Sequence, residues 1–114
     1  MENNSKAEGK EGDQRRLFGR ILRKIRKTRG LTIKDFTKSS GIDGGYISRI
    51  ENGRRNPPSV KLLKRMAGTL RIDVVYLIMA AGYLKYNPVS GKELTEADIV
   101  FEIESVLKKE LRKI

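Results

Sequence analysis

The chain has 114 residues, 25 Lys plus Arg against 14 Asp plus Glu, a formal net charge of +11, and neither Cys nor His. That length allows one domain of modest core plus tails. The missing Cys and His exclude disulfides, thiol catalysis, His- or Cys-ligated zinc and a histidine proton shuttle. The charge is unevenly placed. Residues 1–14 hold two Lys against four acids (−2), and residues 15–71 hold 17 Lys plus Arg against Asp35, Asp43 and Glu51 (+14). Residues 72–114 hold six bases against seven acids (−1). A positive field concentrated in one half suits a polyanion and gives salt-sensitive association.

Met1 to Gln14 is polar and charged, and reads as a disordered tail. Helix 1 is expected over Arg15 to Thr28, where Leu17, Phe18, Ile21, Leu22 and Ile25 form a core-facing stripe and Gly30 stops it. Thr32 and Asp35 make a capping box for helix 2, with Leu31 and Phe36 as its hydrophobic staple and Gly41 as its stop. Asp43 caps a third helix that buries Ile47 and Ile50. Two short helices joined by a tight glycine turn make a helix-turn-helix, whose second helix enters a DNA major groove. Gly53 to Pro58 is a loop that its prolines keep from becoming helix. Ser59 caps helix 4, with Val60, Leu63, Met66, Ala67 and Leu70 inward, and Asp73 caps helix 5. Val74 to Leu84 forms either the last core helix alone or a surface for a partner subunit as well; at 11 residues it is far short of the ~20 of a membrane span. The first 16 residues hold no apolar run, so no signal peptide is expected, and the location expected is the cytoplasm.

Lys85 to Glu93 reads as a linker. A sixth helix is expected over residues 94–114, with Leu94 as staple, Thr95 as cap and Asp98 at its third position. Its apolar stripe includes Val100, Ile103, Leu107, Leu111 and Ile114. The stripe needs a cover: either it folds back on its own domain or it pairs with a second copy or another protein. Val100, Ile103, Leu107 and Leu111 are the candidate dimerisation residues.

Three segments, FGRILRKIRKTRGLT, GIDGGYISRIENGRRNP and SVKLLKRMAGTLRID, resemble in order and spacing the Cro/C1-type (XRE) class of helix-turn-helix regulators. The resemblance covers about Leu17 to Leu77 and implies an all-α fold: a compact five-helix lambda-repressor-like DNA-binding domain (15–84, motif about 33–52) plus a C-terminal amphipathic helix. It also implies that Arg26 pairs with Glu51 to brace helix 1 against helix 3. Ile33 stands where the family usually has a phosphate-binding Gln, so the backbone amides at the start of helix 2, with Lys34 and Lys38 nearby, are left to hold the phosphate. The base-reading positions fall on Gly44, Gly45 and Arg49. Two of those three have no side chain, which makes Arg49 the best single candidate for guanine O6 and N7. Tyr46 either meets DNA, at a thymine methyl or a phosphate, or is partly buried against helix 2. Ser48 is expected on a phosphate, and Arg54, Arg55 and Asn56 on phosphates beside the minor groove.

The leading function is a sequence-selective double-stranded DNA-binding transcriptional regulator, a homodimeric repressor, with no cofactor and no metal. The alternative is an antitoxin-like interaction protein whose C-terminal helix masks a regulatory protein partner, with DNA binding secondary. No constellation of catalytic residues is present, so an enzyme is not expected.

Overall fold

The computed structural model describes the backbone of residues 2–111 and the side chains of residues 12–109. Its helices are α1 (Glu2–Thr28), α2 (Ile33–Ser40), α3 (Gly44–Glu51), α4 (Val60–Leu70), α5 (Val74–Ala80) and α6 (Glu96–Leu111). Most helix starts carry their own capping chemistry. The Asp35 amide donates to Thr32 Oγ1 and the Thr32 amide to Asp35 Oδ2, both at 3.0 Å. The same reciprocal pair joins Thr95 and Asp98 at the start of α6, at 3.1 and 3.2 Å. Asp43, Ser59 and Asp73 accept backbone amides at the starts of α3, α4 and α5. Such caps satisfy amides that have no carbonyl partner within the helix. Gly41 ends α2 in the left-handed conformation, φ 74°, which a Cβ would strain.

The core is built around α1. Its stripe, Leu17, Phe18, Ile21, Leu22 and Ile25, is buried with Phe36 of α2, Ile47 and Ile50 of α3, Leu63, Met66 and Leu70 of α4, and Leu77 of α5. The side chains in this set that are fully buried each contribute about 1.5–3 kcal/mol by leaving water. Gly19 lets α1 approach α3 closely: a Cβ there would stand 2.5 Å from the Ile50 carbonyl oxygen and 2.7 Å from that of Glu51. Val60, expected inward, is exposed at the rim of α4. It is the first residue of α4, ahead of the buried Leu63. Among the described residues no helix is long and apolar enough to cross a membrane.

Two expectations are corrected. Residues 2–14 are not a disordered tail but the first turns of α1, continuous with the core-packed part. The segment contains no proline, and its end is fastened: Gln14 Nε2 donates to the Ala80 carbonyl, and Asp13 pairs with Arg16 one turn on. Residues 85–93 are more than a linker. They form a small hairpin, with a Tyr86–Glu93 antiparallel bridge, the Asn87 amide on the Lys92 carbonyl at 2.7 Å, and the Leu94 amide on the Lys85 carbonyl at 2.9 Å. The Asn87 side chain accepts the amides of Val89 and Ser90 and so holds the turn.

For α6 the sequence left two covers open, and in this chain the stripe folds back on its own domain. Ile103 and Leu107, candidates for a dimer face, are 1% and 4% exposed, packed with Ile99 into the core of their own chain. Arg20–Glu96 (2.6 Å) and Lys24–Glu104 (2.8 Å) flank the seam between α6 and α1. Closing a short loop costs far less entropy than the several kcal/mol lost on bimolecular association, so a tethered helix covers its own domain first. Val100 is half-buried in the same packing; the Leu111 side chain and residues 112–114 lie outside the described residues.

Candidate nucleic-acid interface

Helix α3 lies across α2 with one face inward and the other bare. Ile47 and Ile50 are buried, whereas Gly45 and Arg49 are exposed and Tyr46 and Ser48 half-buried. Gly44 and Gly45 play different parts. A Cβ at Gly44 would stand 3.1 Å from Thr37 Oγ1 and 3.3 Å from Ile33 Cγ2, so this glycine permits the close crossing of α2 and α3. The Thr37 hydroxyl beneath it is buried without a hydrogen-bond partner among the described residues. Gly45 faces outward, and a Cβ there would meet only Asp43 Oδ2 at 3.0 Å and Arg49 Nη1 at 3.3 Å.

The far end of α3 is fixed by a buried ion pair. Arg26 of α1 donates to Glu51 through Nε (2.7 Å) and Nη2 (2.8 Å), and through Nη1 to the Leu31 carbonyl (2.8 Å). Glu51 raises the Arg26 pKa further above its ordinary value, chiefly by this hydrogen bond. Arg23 lies 3.8 Å from the same carboxylate. A planar fork on a carboxylate sets orientation as well as distance, so α3 is held against α1 in one pose.

After α3 the chain turns at Gly53 (φ 71°) into the loop Gly53–Pro58. Three elements tether it. Arg15 Nε of α1 donates to Asn56 Oδ1 at 2.7 Å. The Arg55 guanidinium lies over the Tyr46 ring, 5.2 Å from its centre. The Tyr83 hydroxyl donates to the Pro58 carbonyl at 2.8 Å. Burial raises the Tyr46 pKa, with Arg55 opposing. Arg54, Arg55 and Asn56 remain exposed on this rim.

Much of the remaining basic charge has intramolecular work. Arg29 donates to the carbonyls of Leu70 and Arg71, which end α4, and Arg65 to that of Ser40, which ends α2. These cations cap helix C-termini, where the dipole is negative. Arg20 and Lys24 are held by α6. Exposed cations without a hydrogen bond or ion pair among the described residues include Lys34, Arg49 and Arg54. Two more residues in the anticipated set have protein partners: Ser48 accepts from Asn52 Nδ2 through its carbonyl (2.8 Å) and hydroxyl (3.4 Å), and Ile33 packs against the core. At the start of α2 the capping box uses the amides of Thr32 and Asp35, and those of Ile33 and Lys34 are the first-turn amides it does not use. Arg15, Gly19 and Tyr83 were not among the site residues expected from the sequence. Each acts on the site from a distant part of the chain, and no local pattern marks it.

Fold and site together define a helix-turn-helix DNA-binding module. A helix-turn-helix family model matches residues 22–77. The HTH-type transcriptional regulator RghRB of Bacillus subtilis is 37% identical over 87 residues, 75% of this chain and 63% of that protein. The HTH-type transcriptional repressor RghR of the same organism is 40% identical over 68 residues, 60% of this chain and 50% of that protein. The chain thus spans less than two thirds of the length of these curated relatives. The restriction-modification controller protein C.AhdI of Aeromonas hydrophila superposes with a TM-score of 0.52 at 32% identity, covering 55% of this chain and 94% of that one. The chain belongs to the XRE family of Cro/C1-type helix-turn-helix transcriptional regulators.

Proposed function

We propose that the protein is a cytoplasmic, sequence-selective repressor that binds double-stranded DNA as a homodimer. The observation that supports this best is the bare face of α3: Gly45 of the first turn and Arg49 of the last are exposed, the opposite face is buried, and the tail is locked by Arg26–Glu51. In this reading Arg49 meets base edges, while Tyr46, Ser48 and the first-turn amides of Ile33 and Lys34 lie along phosphates. Arg54, Arg55 and Asn56 follow the adjacent backbone. Repression requires only occupancy of the site, and the relative RghR is itself a repressor.

A two-fold dimer would set two α3 helices ~34 Å apart, one DNA turn. The Ile103–Leu107 stripe is packed within its own chain, so we place the interface elsewhere. Among the described residues, exposed apolar side chains beyond it include Tyr83, Tyr86 and Val89 on and before the hairpin and Phe101 of α6. The same residues support the second reading, a protein partner that controls or replaces DNA binding. Selection of bound duplexes from a random pool, with the mass of the complex measured, separates the two. A palindromic site bound by two chains supports the repressor. No enriched sequence, with a heterologous protein bound instead, favours the partner reading.

A further inference from the structure

We propose that Gly45 determines specificity through the side chain it lacks: the gap it leaves on α3 is where the Arg49 guanidinium lies to present itself to a guanine. This rests on the reading of α3 as the base-contacting helix. Three observations lead to it. Gly45 has no left-handed φ and no packed neighbour to demand glycine, unlike Gly41 with its φ of 74° and Gly44 with its Cβ position against Thr37 and Ile33. The position is exposed and helical, where alanine is favoured over glycine. Yet the space a Cβ would take is bounded by Arg49 Nη1 at 3.3 Å and Asp43 Oδ2 at 3.0 Å.

The geometry follows from helix construction. Residues 45 and 49 are one turn apart on the same face, and side chains lean toward the helix N-terminus. Arg49 therefore runs back over Gly45, carrying its guanidinium from the last turn of α3 toward the first, the part of a recognition helix that contacts base edges. The Asp43 carboxylate borders the same gap, held there by its bond to the Tyr46 amide at 3.0 Å. It adds a specificity element of opposite sign, because a carboxylate accepts from cytosine N4 but repels a phosphate. One long side chain thus reaches the base pair that residue 45 would otherwise face. A methyl group at 45 pushes the guanidinium outward: the flexible end of Arg49 can yield, whereas the Asp43 carboxylate is tied to the Tyr46 amide.

The test uses the full chain and a duplex selected from a random pool by the wild type, with a scrambled duplex as control. Gly45→Ala is expected to keep or raise Tm and to bind the scrambled duplex as wild type does. Its affinity for the selected duplex should fall by about 5- to 150-fold, the range for losing one bidentate arginine–guanine contact. In an Arg49→Ala background, Gly45→Ala should have no further effect. Undiminished preference in Gly45→Ala overturns the inference, as does an equal loss with Arg49 already removed. Should the wild type enrich no sequence at all, the underlying reading of α3 fails instead.

Discussion

Glycine-to-alanine substitution at two helical positions should shift stability in opposite directions. In a helix interior alanine is favoured over glycine by about 0.8–1.0 kcal/mol. Gly68 of α4 is exposed, and nothing lies within 4 Å of its Cβ position. Gly68→Ala should therefore stabilise by about 0.5–1 kcal/mol and raise Tm by about 2–4 °C. Gly19 is equally helical, but its Cβ would stand 2.5 Å from the Ile50 carbonyl oxygen and 2.7 Å from that of Glu51. An ordinary carbon–oxygen contact is about 3.3 Å, so α1 and α3 must part by about 0.8 Å. The atoms struck are backbone, and the Ile50 oxygen already accepts the Gly53 amide at 3.0 Å, so neither can swing aside as a side chain would. Overpacking of this kind costs about 1–3 kcal/mol, and the propensity gain returns about 1. The net loss is up to about 2 kcal/mol, a fall in Tm of up to about 8 °C. Calorimetry on the two variants is the assay, with operator affinity beside it, since the displaced element is α3. A Gly19→Ala Tm above wild type would refute the close α1–α3 contact.

Other perturbations test other parts. Arg54→Ala with Arg55→Ala should lower the slope of log K against log salt by about 1.8, two phosphate contacts at ~0.9 each; an unchanged slope removes the loop from the interface. Leu107→Ala should cost about 2–5 kcal/mol in thermal unfolding without changing the mass of the particle in sedimentation, whereas an intact Tm with a halved mass would make the stripe intermolecular. Hydrogen bonds from the Thr32 and Thr95 amides hold Asp35 and Asp98 below the usual carboxylate range, and Lys24 does the same for Glu104. Because these folded values lie below the unfolded ones, their stabilisation is present above about pH 4 and is lost as pH falls further. Tm should thus be flat from neutrality to about pH 5 and then drop, less steeply in Asp98→Asn; an equally steep drop in that variant would remove Asp98 from the acid transition.

The sequence disclosed whatever depends on near neighbours. Thr32–Asp35 and Thr95–Asp98 are reciprocal pairs three residues apart, and the caps Asp43, Ser59 and Asp73 each bond an amide two or three residues on. The i, i+3, i+4 stripe of α1 identified its buried face in the same way. Contacts set by long-range packing were not legible. Gly19 shows nothing locally that separates it from Gly68; only the approach of α3, some 30 residues later, distinguishes them. The stripe of α6 was visible but not its cover, because an apolar face is the same whether the partner is intramolecular or not. The basic segment was read as one field, yet Arg29 and Arg65 are directed at helix-end carbonyls 41 and 25 residues away. Of the two glycines at the head of α3, Gly44 serves helix packing and Gly45 leaves Arg49 its room.

Guanines in the selected duplex can be replaced one at a time by 7-deazaguanine, which lacks only the N7 acceptor. Arg49 reading guanine from the head of α3 predicts that one guanine per half-site is sensitive, its replacement weakening wild-type binding by about 1–3 kcal/mol. The same replacement should cost Arg49→Ala nothing further. Uniform insensitivity at every guanine, or an equal loss in wild type and Arg49→Ala, would contradict the account.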